Sequence, residues 1–216
     1  MTNKDIGWEL ENLKDFSRKV LQPLKDVAFP VIVEATTGKK IIRINLDANE
    51  DKELIESIKQ VADEISKKYY EKLELIGNRP NDVSEPLEQV FVDCLINAGK
   101  GAIRLKQKGY PDLEIKDKLE RITYMEIKVS RVENIKEGSP RNFFYKPSIK
   151  TKIKEDARHL LIGFAIKEHT PKHWKIVGWK LVDLAYLKVD FKPEFNADNI
   201  EIYKKEAIIA ENWLEK

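Results

Sequence analysis

The sequence predicts an α/β protein with a mixed central β-sheet flanked by helices. Two long segments carry apolar residues at helical spacing, and shorter runs rich in β-branched and aromatic residues follow the second of them. A helix followed by several such runs is typical of an α/β core. With 216 residues and 42% hydrophobic content, the chain can bury one core domain that carries a smaller appendage.

An N-terminal extension of helix, β-hairpin and helix is expected over residues 1–76. Apolar residues recur at helical spacing over 10–21, before a proline interrupts the pattern. β-branched runs at 30–35 and 40–46 enclose a Thr-Thr-Gly-Lys turn and predict the hairpin. An apolar stripe predicts a long helix over 51–72.

The main boundary is expected at residues 76–83, where Gly, Pro, Asn and Asp cluster between two periodic segments. The second part, residues 84–216, starts with a helix whose apolar face runs to Ala98 and which ends at Gly99. Strands are then predicted near 102–105, around Asp112, around Glu126, at 160–166 and at 174–181. The central sheet therefore belongs to this second part.

The charge balance and the cysteine content exclude several classes of protein. The net charge of +2 does not by itself indicate a polyanion as partner, although Lys128 to Arg158 holds nine basic against four acidic residues. A single cysteine, Cys94, excludes an intrachain disulfide framework and a cysteine-built zinc site. The first residues are charged and polar, and no apolar stretch is long enough to span a bilayer. We therefore expect a cytoplasmic protein with no membrane partner.

Asp112, Glu126 and Lys128 form the strongest candidate for a catalytic site. Successive side chains of a strand alternate between its faces, so Glu126 and Lys128 share one face. Two carboxylates supply hard oxygen ligands for Mg²⁺, and a lysine beside them can polarise a phosphate or orient water. Hydrolysis of a phosphodiester needs these three parts.

In Pro111-Asp112 and Glu126-Ile127-Lys128 the chain resembles the PD-(D/E)XK nuclease superfamily, to which most type II restriction endonucleases belong. The resemblance covers residues 84–180 and implies a restriction-endonuclease-like core. It implies that Asp112, Glu126 and the Ile127 carbonyl bind Mg²⁺, with Mn²⁺ as a substitute, and that Lys128 assists the attacking water.

The same family often has an acidic residue on the helix before the sheet, which can reach a second metal or orient the lysine. The resemblance implies this role for Glu88, with Glu85 as the alternative. Either residue can instead favour the helix N-terminus electrostatically.

The Glu-x-Lys triplet alone is a weak signal, because it also occurs at Glu50-Asp51-Lys52 and at Glu114-Ile115-Lys116. Residues 126–128 stand out because an apolar strand surrounds them and Pro-Asp precedes them at a separation suited to neighbouring strands. In the alternative interpretation, Asp112 is a turn residue, and Glu126 and Lys128 lie on the solvated face of an edge strand.

The basic segment after the Glu126 strand is the candidate for contacting nucleic acid. Arg141 and Asn142 are suited to base edges, since Arg can engage guanine and Asn adenine through paired hydrogen bonds. Other basic residues are expected to contact phosphates, which gives affinity without sequence information. These are Arg131, Lys146, Lys150, Lys152, Lys154 and Arg158. In the alternative interpretation, the segment is a surface loop anchored by residues 143–145.

The resemblance implies a Mg²⁺-dependent endonuclease that cuts double-stranded DNA at a specific sequence. We expect a homodimer with one active site for each DNA strand, in which the N-terminal extension forms the dimer interface, clasps DNA, or both. Two alternatives remain open: a structure-specific or repair nuclease of the same fold, such as a junction resolvase, and a non-catalytic DNA-binding protein on a degenerate nuclease fold.

Overall fold

The computed structural model describes residues 12, 14–15, 25–72, 74–107, 109–133, 143–147 and 150–191. The chain divides into two units. One unit is Val27–Lys188, and the other combines Met1–Asp26 with Val189–Lys216. The first unit contains the large β-sheet and the candidate site.

The elements of the described residues follow one another in a mixed α and β order. They are β1 (Val27–Ala28), α1 (Phe29–Thr37), β2 (Ile41–Ile42), α2 (Asn49–Glu71), β3 (Leu75–Ile76), α3 (Ser84–Asn97), β4 (Gly101–Arg104), β5 (Leu113–Lys116), β6 (Ile122–Arg131), β7 (Ala157–Thr170), β8 (His173–Asp183) and β9 (Lys188–Val189). Short 3₁₀ turns at Pro80–Val83 and Leu184–Tyr186 precede α3 and follow β8.

Within the described residues, seven strands form one mixed sheet. Its order is β3-β8-β7-β6-β5-β4, and β2 pairs in addition with the start of β7. β6 and β2 run parallel to β7, while the other neighbouring strands pair antiparallel. Leu113 of β5 lies opposite Met125 of β6, which brings the residue just before β5 alongside the middle of β6. The predicted α/β fold with a mixed central sheet is confirmed.

Helices α2 and α3 cover one face of the sheet with their apolar sides. The buried positions of each helix recur every three or four residues, which is the spacing of one helical face. Each of these fully buried side chains contributes about 1.5–3 kcal/mol relative to an exposed one. The core includes Leu54, Ile58 and Ile65 of α2, Leu87, Phe91 and Leu95 of α3, Met125 and Ile127 of β6, Ile162 and Phe164 of β7, and Trp174 of β8.

Aromatic side chains cover the opposite face of β6 near its start. Phe29 of α1 meets Tyr110 edge to face, with 5.6 Å between ring centroids, and Tyr124 meets His159 in the same way at 5.2 Å. The Tyr110 hydroxyl and Nδ1 of His159 form a hydrogen bond of 2.6 Å. β6 is therefore paired on both edges and covered on both faces, which rules out the alternative of a solvated edge strand.

The predicted hairpin at residues 30–46 is wrong, because Phe29–Thr37 is a helix. Pro30 stands in its first turn, where a missing N–H costs nothing, and Gly38 ends it with a left-handed φ of 70°. Phe29 and Val33 lie on the same side of the helix and are fully buried. Tertiary burial with a spacing of four therefore overrides the strand preference of the β-branched residues. Ile41–Ile42 pairs with β7 instead.

Helices α2 and α3 and strands β4 to β8 lie where the apolar patterns place them, whereas β3 was not predicted. The predicted helix at 10–21 falls outside the described residues except at 12 and 14–15, and the predicted boundary at 76–83 falls inside the unit Val27–Lys188. A search of the described residues finds no helix that is both long and apolar enough to cross a membrane.

Candidate active site

Asp112 is held against β6 by backbone hydrogen bonds. Its N–H donates to the carbonyl of Met125 at 3.0 Å, and its own carbonyl accepts from the N–H of Leu105 at 2.7 Å. Its Oδ2 accepts from the N–H of Ile127 at 2.9 Å. The side chain is half-buried and points along the edge of β6, just beyond the last residue pair of β5 and β6.

Glu126 and Lys128 lie together on the face of β6 that also carries Tyr124. The Lys128 ammonium forms an ion pair with Oε1 of Glu126. The Glu126 side chain is 5% exposed and the Lys128 side chain 34% exposed, so the carboxyl group lies deep and the ammonium lies nearer to solvent. The second carboxyl oxygen, Oε2, is buried and accepts no hydrogen bond from the residues that the structure describes, while the Asp112 carboxyl group interacts with the Glu126 side chain. A buried oxygen without a donor is costly unless a ligand satisfies it.

The pKa of Glu126 is raised to about 7. Burial is the largest cause, because it penalises the ionised form, and the neighbouring Asp112 carboxylate raises the pKa further. The charge of Lys128 acts in the opposite direction. Two carboxyl groups are therefore close enough to repel each other, as in sites that bind a cation between them.

Glu88, on α3, belongs to the same electrostatic group. Burial raises its pKa, and the charge of Asp112 raises it further, while the hydrogen bond from Arg104 lowers it. Arg104 donates from Nε to Glu88 at 3.0 Å and from Nη2 to Glu85 at 2.9 Å. The Glu85 side chain is 76% exposed, whereas that of Glu88 is 14% exposed. Of the two candidates on this helix, Glu88 is the one that interacts with Asp112.

Lys152 also reaches this site, although the sequence predicted it as a phosphate contact. Its ammonium donates to the carbonyls of Pro111 and Leu105. Burial lowers its pKa, while the charges of Asp112, Glu126 and Glu88 raise it. The structure thus brings together Asp112, Glu126, Lys128 and Glu88, and it adds Lys152.

The donor set at this place fits a hard divalent cation. Asp112 and Glu126 offer carboxylate oxygens, and Oε2 of Glu126 is buried without a hydrogen-bond donor among the residues described. The N–H and C=O of one strand residue point to the same side. Since the Ile127 N–H lies on the edge of β6 that faces Asp112, its carbonyl lies on the same edge. Oxygen ligands of this kind suit Mg²⁺. The described residues contain no group of three His, Cys, Asp or Glu side chains that could hold a metal. A cation bound here would therefore take its remaining ligands from backbone and solvent oxygens.

The residues predicted to contact DNA have different surroundings. Lys146, Lys150 and Lys154 are exposed. Arg131 is half-exposed, with its guanidinium 4.9 Å from the centre of the Trp174 ring. Arg141 and Asn142 lie outside the described residues.

Arg158 is in a buried ion cluster that the sequence did not reveal. Its Nη2 lies 2.7 Å from Oδ1 of Asp51, and Nη1 of Arg121 lies 3.0 Å from the same oxygen. The Asp51 side chain is 1% exposed and that of Arg158 is 11% exposed. This placement is that of a structural ion pair. Periodicity gave a partial signal, because Asp51 lies one turn before Leu54 on the buried side of α2.

Comparison with known proteins gives three findings. The model of the type II restriction enzyme MjaV family matches residues 23–206. The type II restriction enzyme MjaV of Methanocaldococcus jannaschii is 34% identical over 230 residues, which cover 94% of this chain and 96% of that protein. Among solved structures, the tetrameric restriction endonuclease SfiI bound to cognate DNA matches with a TM-score of 0.40 and 12% identity, over 62% of this chain and 63% of that one.

Proposed function

The chain belongs to the type II restriction enzyme MjaV family, and from this premise we propose that Asp112, Glu126 and Lys128 form its catalytic site. It is a site-specific endonuclease that hydrolyses phosphodiester bonds of double-stranded DNA. The main support for this site is Oε2 of Glu126, which is buried, accepts no hydrogen bond from the described part of the chain and belongs to a side chain that interacts with the Asp112 carboxyl group.

Each residue has a separate task in this proposal. Asp112, Glu126 and the Ile127 carbonyl hold a Mg²⁺ ion, for which Mn²⁺ can substitute. The bound ion supplies positive charge to the phosphate on which negative charge develops during cleavage. Lys128 orients the attacking water and adds a second positive charge at the scissile phosphate. Glu88 is proposed to keep Arg104 in place and to add negative charge next to Asp112.

Exposed basic residues are proposed to hold the DNA backbone. Lys146, Lys150, Lys154 and Arg131 carry the positive charge for phosphate contacts, which gives affinity that falls with salt. Arg141 and Asn142 are proposed to read base edges. Arg158 does not belong to this group, because Asp51 occupies its guanidinium.

The proposed assembly is a homodimer in the cytoplasm. Two copies related by a twofold axis present two active sites, one for each DNA strand, and they match a palindromic target. Residues 1–76 are proposed to contribute to the dimer interface or to clasp the DNA. Size-exclusion chromatography with light scattering tests the dimer independently of cleavage.

The experiment that tests the function is digestion of long duplex DNA with Mg²⁺ by the wild-type chain and by Asp112→Asn, followed by sequencing of the fragment ends. Discrete fragments with one common end sequence, lost in the variant, support the proposed site. Discrete fragments from both proteins would contradict the role of Asp112. A smear lost in the variant would contradict sequence specificity while supporting the site. Absence of cutting by the wild-type protein on several duplex DNAs would contradict the proposal.

A further inference from the structure

Lys152 lies in the segment before β7 and reaches the backbone on both sides of Asp112. Its ammonium donates to the carbonyl of Pro111 and, at 3.3 Å, to the carbonyl of Leu105. Leu105 in turn donates its N–H to the carbonyl of Asp112 at 2.7 Å. One ammonium therefore ties the end of β4 to the residue that immediately precedes Asp112.

The Lys152 ammonium also places a positive charge near three carboxyl groups. Asp112, Glu126 and Glu88 all act on it electrostatically. Asp112 raises the pKa of each of the other two carboxyl groups, so it repels both of them when the groups are ionised. Lys128 forms its ion pair with Glu126, and Lys152 is thus a second ammonium at the same cluster.

These contacts differ from those expected of a phosphate-binding lysine. A lysine ammonium has three N–H donors, and two of those of Lys152 point to backbone carbonyls. Lys152 is half-buried, whereas Lys154, two residues further along, is exposed. Two of the three N–H groups of Lys152 are therefore committed to the backbone next to Asp112.

We propose that Lys152 is a positioning residue of the nuclease site, which fixes the backbone around Asp112 and balances the charge of the three carboxyl groups until a divalent cation binds. The proposal rests on the proposed function of Asp112 and Glu126. In this role Lys152 acts at the reaction centre and does not contribute to the affinity for DNA.

Lys152→Met removes the charge and the donors while keeping a chain of similar length, and Lys152→Gln keeps a donor but no charge. Lys59→Met on α2, where Lys59 pairs with Glu56 at the surface, is the matched control. Lys154→Met represents the loss of a phosphate contact. Three quantities are measured: the single-turnover cleavage rate at saturating protein and Mg²⁺, duplex binding without metal at several salt concentrations, and Mn²⁺ binding to the DNA-free protein by calorimetry.

For Lys152→Met we expect a cleavage rate about tenfold to a hundredfold lower, because Asp112 loses its fixed position. Mn²⁺ binds about threefold or more tightly, because a competing positive charge is gone. Duplex binding and its salt dependence stay as in the wild-type protein, whereas Lys154→Met weakens binding and flattens the salt dependence. Lys59→Met matches the wild-type protein in cleavage rate, duplex binding and Mn²⁺ binding.

A different pattern would overturn the proposal. A normal cleavage rate with weaker, less salt-dependent duplex binding would make Lys152 a phosphate contact. Weaker Mn²⁺ binding in both Lys152 variants would contradict its role in balancing charge. If Lys152→Met does not fold, Lys152→Gln carries the same test. Asp112→Asn, measured in parallel, distinguishes failure of the proposed function from failure of the role of Lys152. Cleavage by Asp112→Asn would refute the catalytic site itself. Loss of cleavage in Asp112→Asn together with normal behaviour of Lys152→Met would refute only the role of Lys152.

Discussion

The N–H of Ile127 donates a hydrogen bond of 2.9 Å to Oδ2 of Asp112, across a sequence separation of 15 residues. The strand that carries Glu126 thus holds the other carboxylate through its own backbone. The register of β5 and β6 fixes this arrangement, because Leu113 lies opposite Met125. Groups fixed in this way need no reorganisation when a ligand binds.

Removal of either carboxylate abolishes cleavage while the fold persists. For Asp112→Asn and Glu126→Gln we expect the cleavage rate to fall on the order of a thousandfold or more, because several kcal/mol of transition-state stabilisation are lost with the cation. Glu114→Gln is the matched control, since Glu114 belongs to a second Glu-x-Lys triplet on β5. Rates are measured by gel assay, with circular dichroism as the check of folding. Cleavage within tenfold of the wild-type rate in both variants would refute the assignment.

The stability of the metal-free protein depends on pH through Glu126. Burial and the charge of Asp112 raise its pKa from 4.5 to about 7, with Lys128 opposing. The folded chain therefore holds this proton more tightly than the unfolded chain, and the associated stability is lost as pH rises through about 7. Glu126→Gln removes this dependence. We expect its melting temperature to exceed that of the wild-type protein by a margin that grows between about pH 5 and about pH 8. Calorimetry in chelator measures the margin, and a margin that shrinks with pH contradicts the prediction.

Asp51 is expected to be essential for stability. Asp51→Ala leaves Arg158 and Arg121 without their buried partner. The free energy of unfolding should fall by about 3–5 kcal/mol, as when one member of a buried ion pair is removed. Glu56→Ala, at an exposed ion pair of the same helix, should change it by less than about 1 kcal/mol. Urea unfolding measures the free energy of unfolding of both variants. Equal losses in the two variants would mean that the buried ion cluster does not stabilise the fold.

The hydrogen bond between Tyr110 and His159 should stabilise the aromatic side of the sheet. Burial lowers the pKa of His159 to about 3, so the ring is neutral at physiological pH. Tyr110→Phe leaves Nδ1 of a buried ring without its partner and should cost about 1–3 kcal/mol. Tyr186→Phe is the control, because Tyr186 is 68% exposed. Urea unfolding gives the difference, and titration of His159 by NMR near neutral pH would contradict its neutral state.

The helices and the carboxylates of the site could be predicted from sequence because their signals are local. α2 follows from its apolar stripe, and Glu126 with Lys128 follows from the alternation along one strand. Pro111-Asp112 could be connected to them because a short turn joins two adjacent strands. Each of these inferences uses only residues that lie within a few tens of positions of one another in the sequence.

The incorrect hairpin, and the contacts of basic residues that the sequence did not reveal, arise where distant segments meet. Phe29–Thr37 is a helix because Phe29 packs against aromatic residues beyond position 100 and Val33 is buried on the same side, contacts that local β-propensity does not contain. Arg158 and Lys152 are both basic residues of one segment, yet Arg158 forms an ion pair with Asp51 and Lys152 donates to the Pro111 carbonyl. Tertiary burial decides such positions, and a single sequence does not display it.

The parallel pairing of β6 with β7 sets the order in which the site can assemble. β4, β5 and β6 form an antiparallel meander with short connections, so Asp112 and Glu126 can come together by local, rapid closure. β7 can join only after the chain has brought together the end of β6 and the start of β7, which is slower and entropically costlier than closing the short connections. Until then β6 presents an apolar, unpaired edge to other nascent chains. A longer time in this state exposes the nascent chain to more aggregation during synthesis.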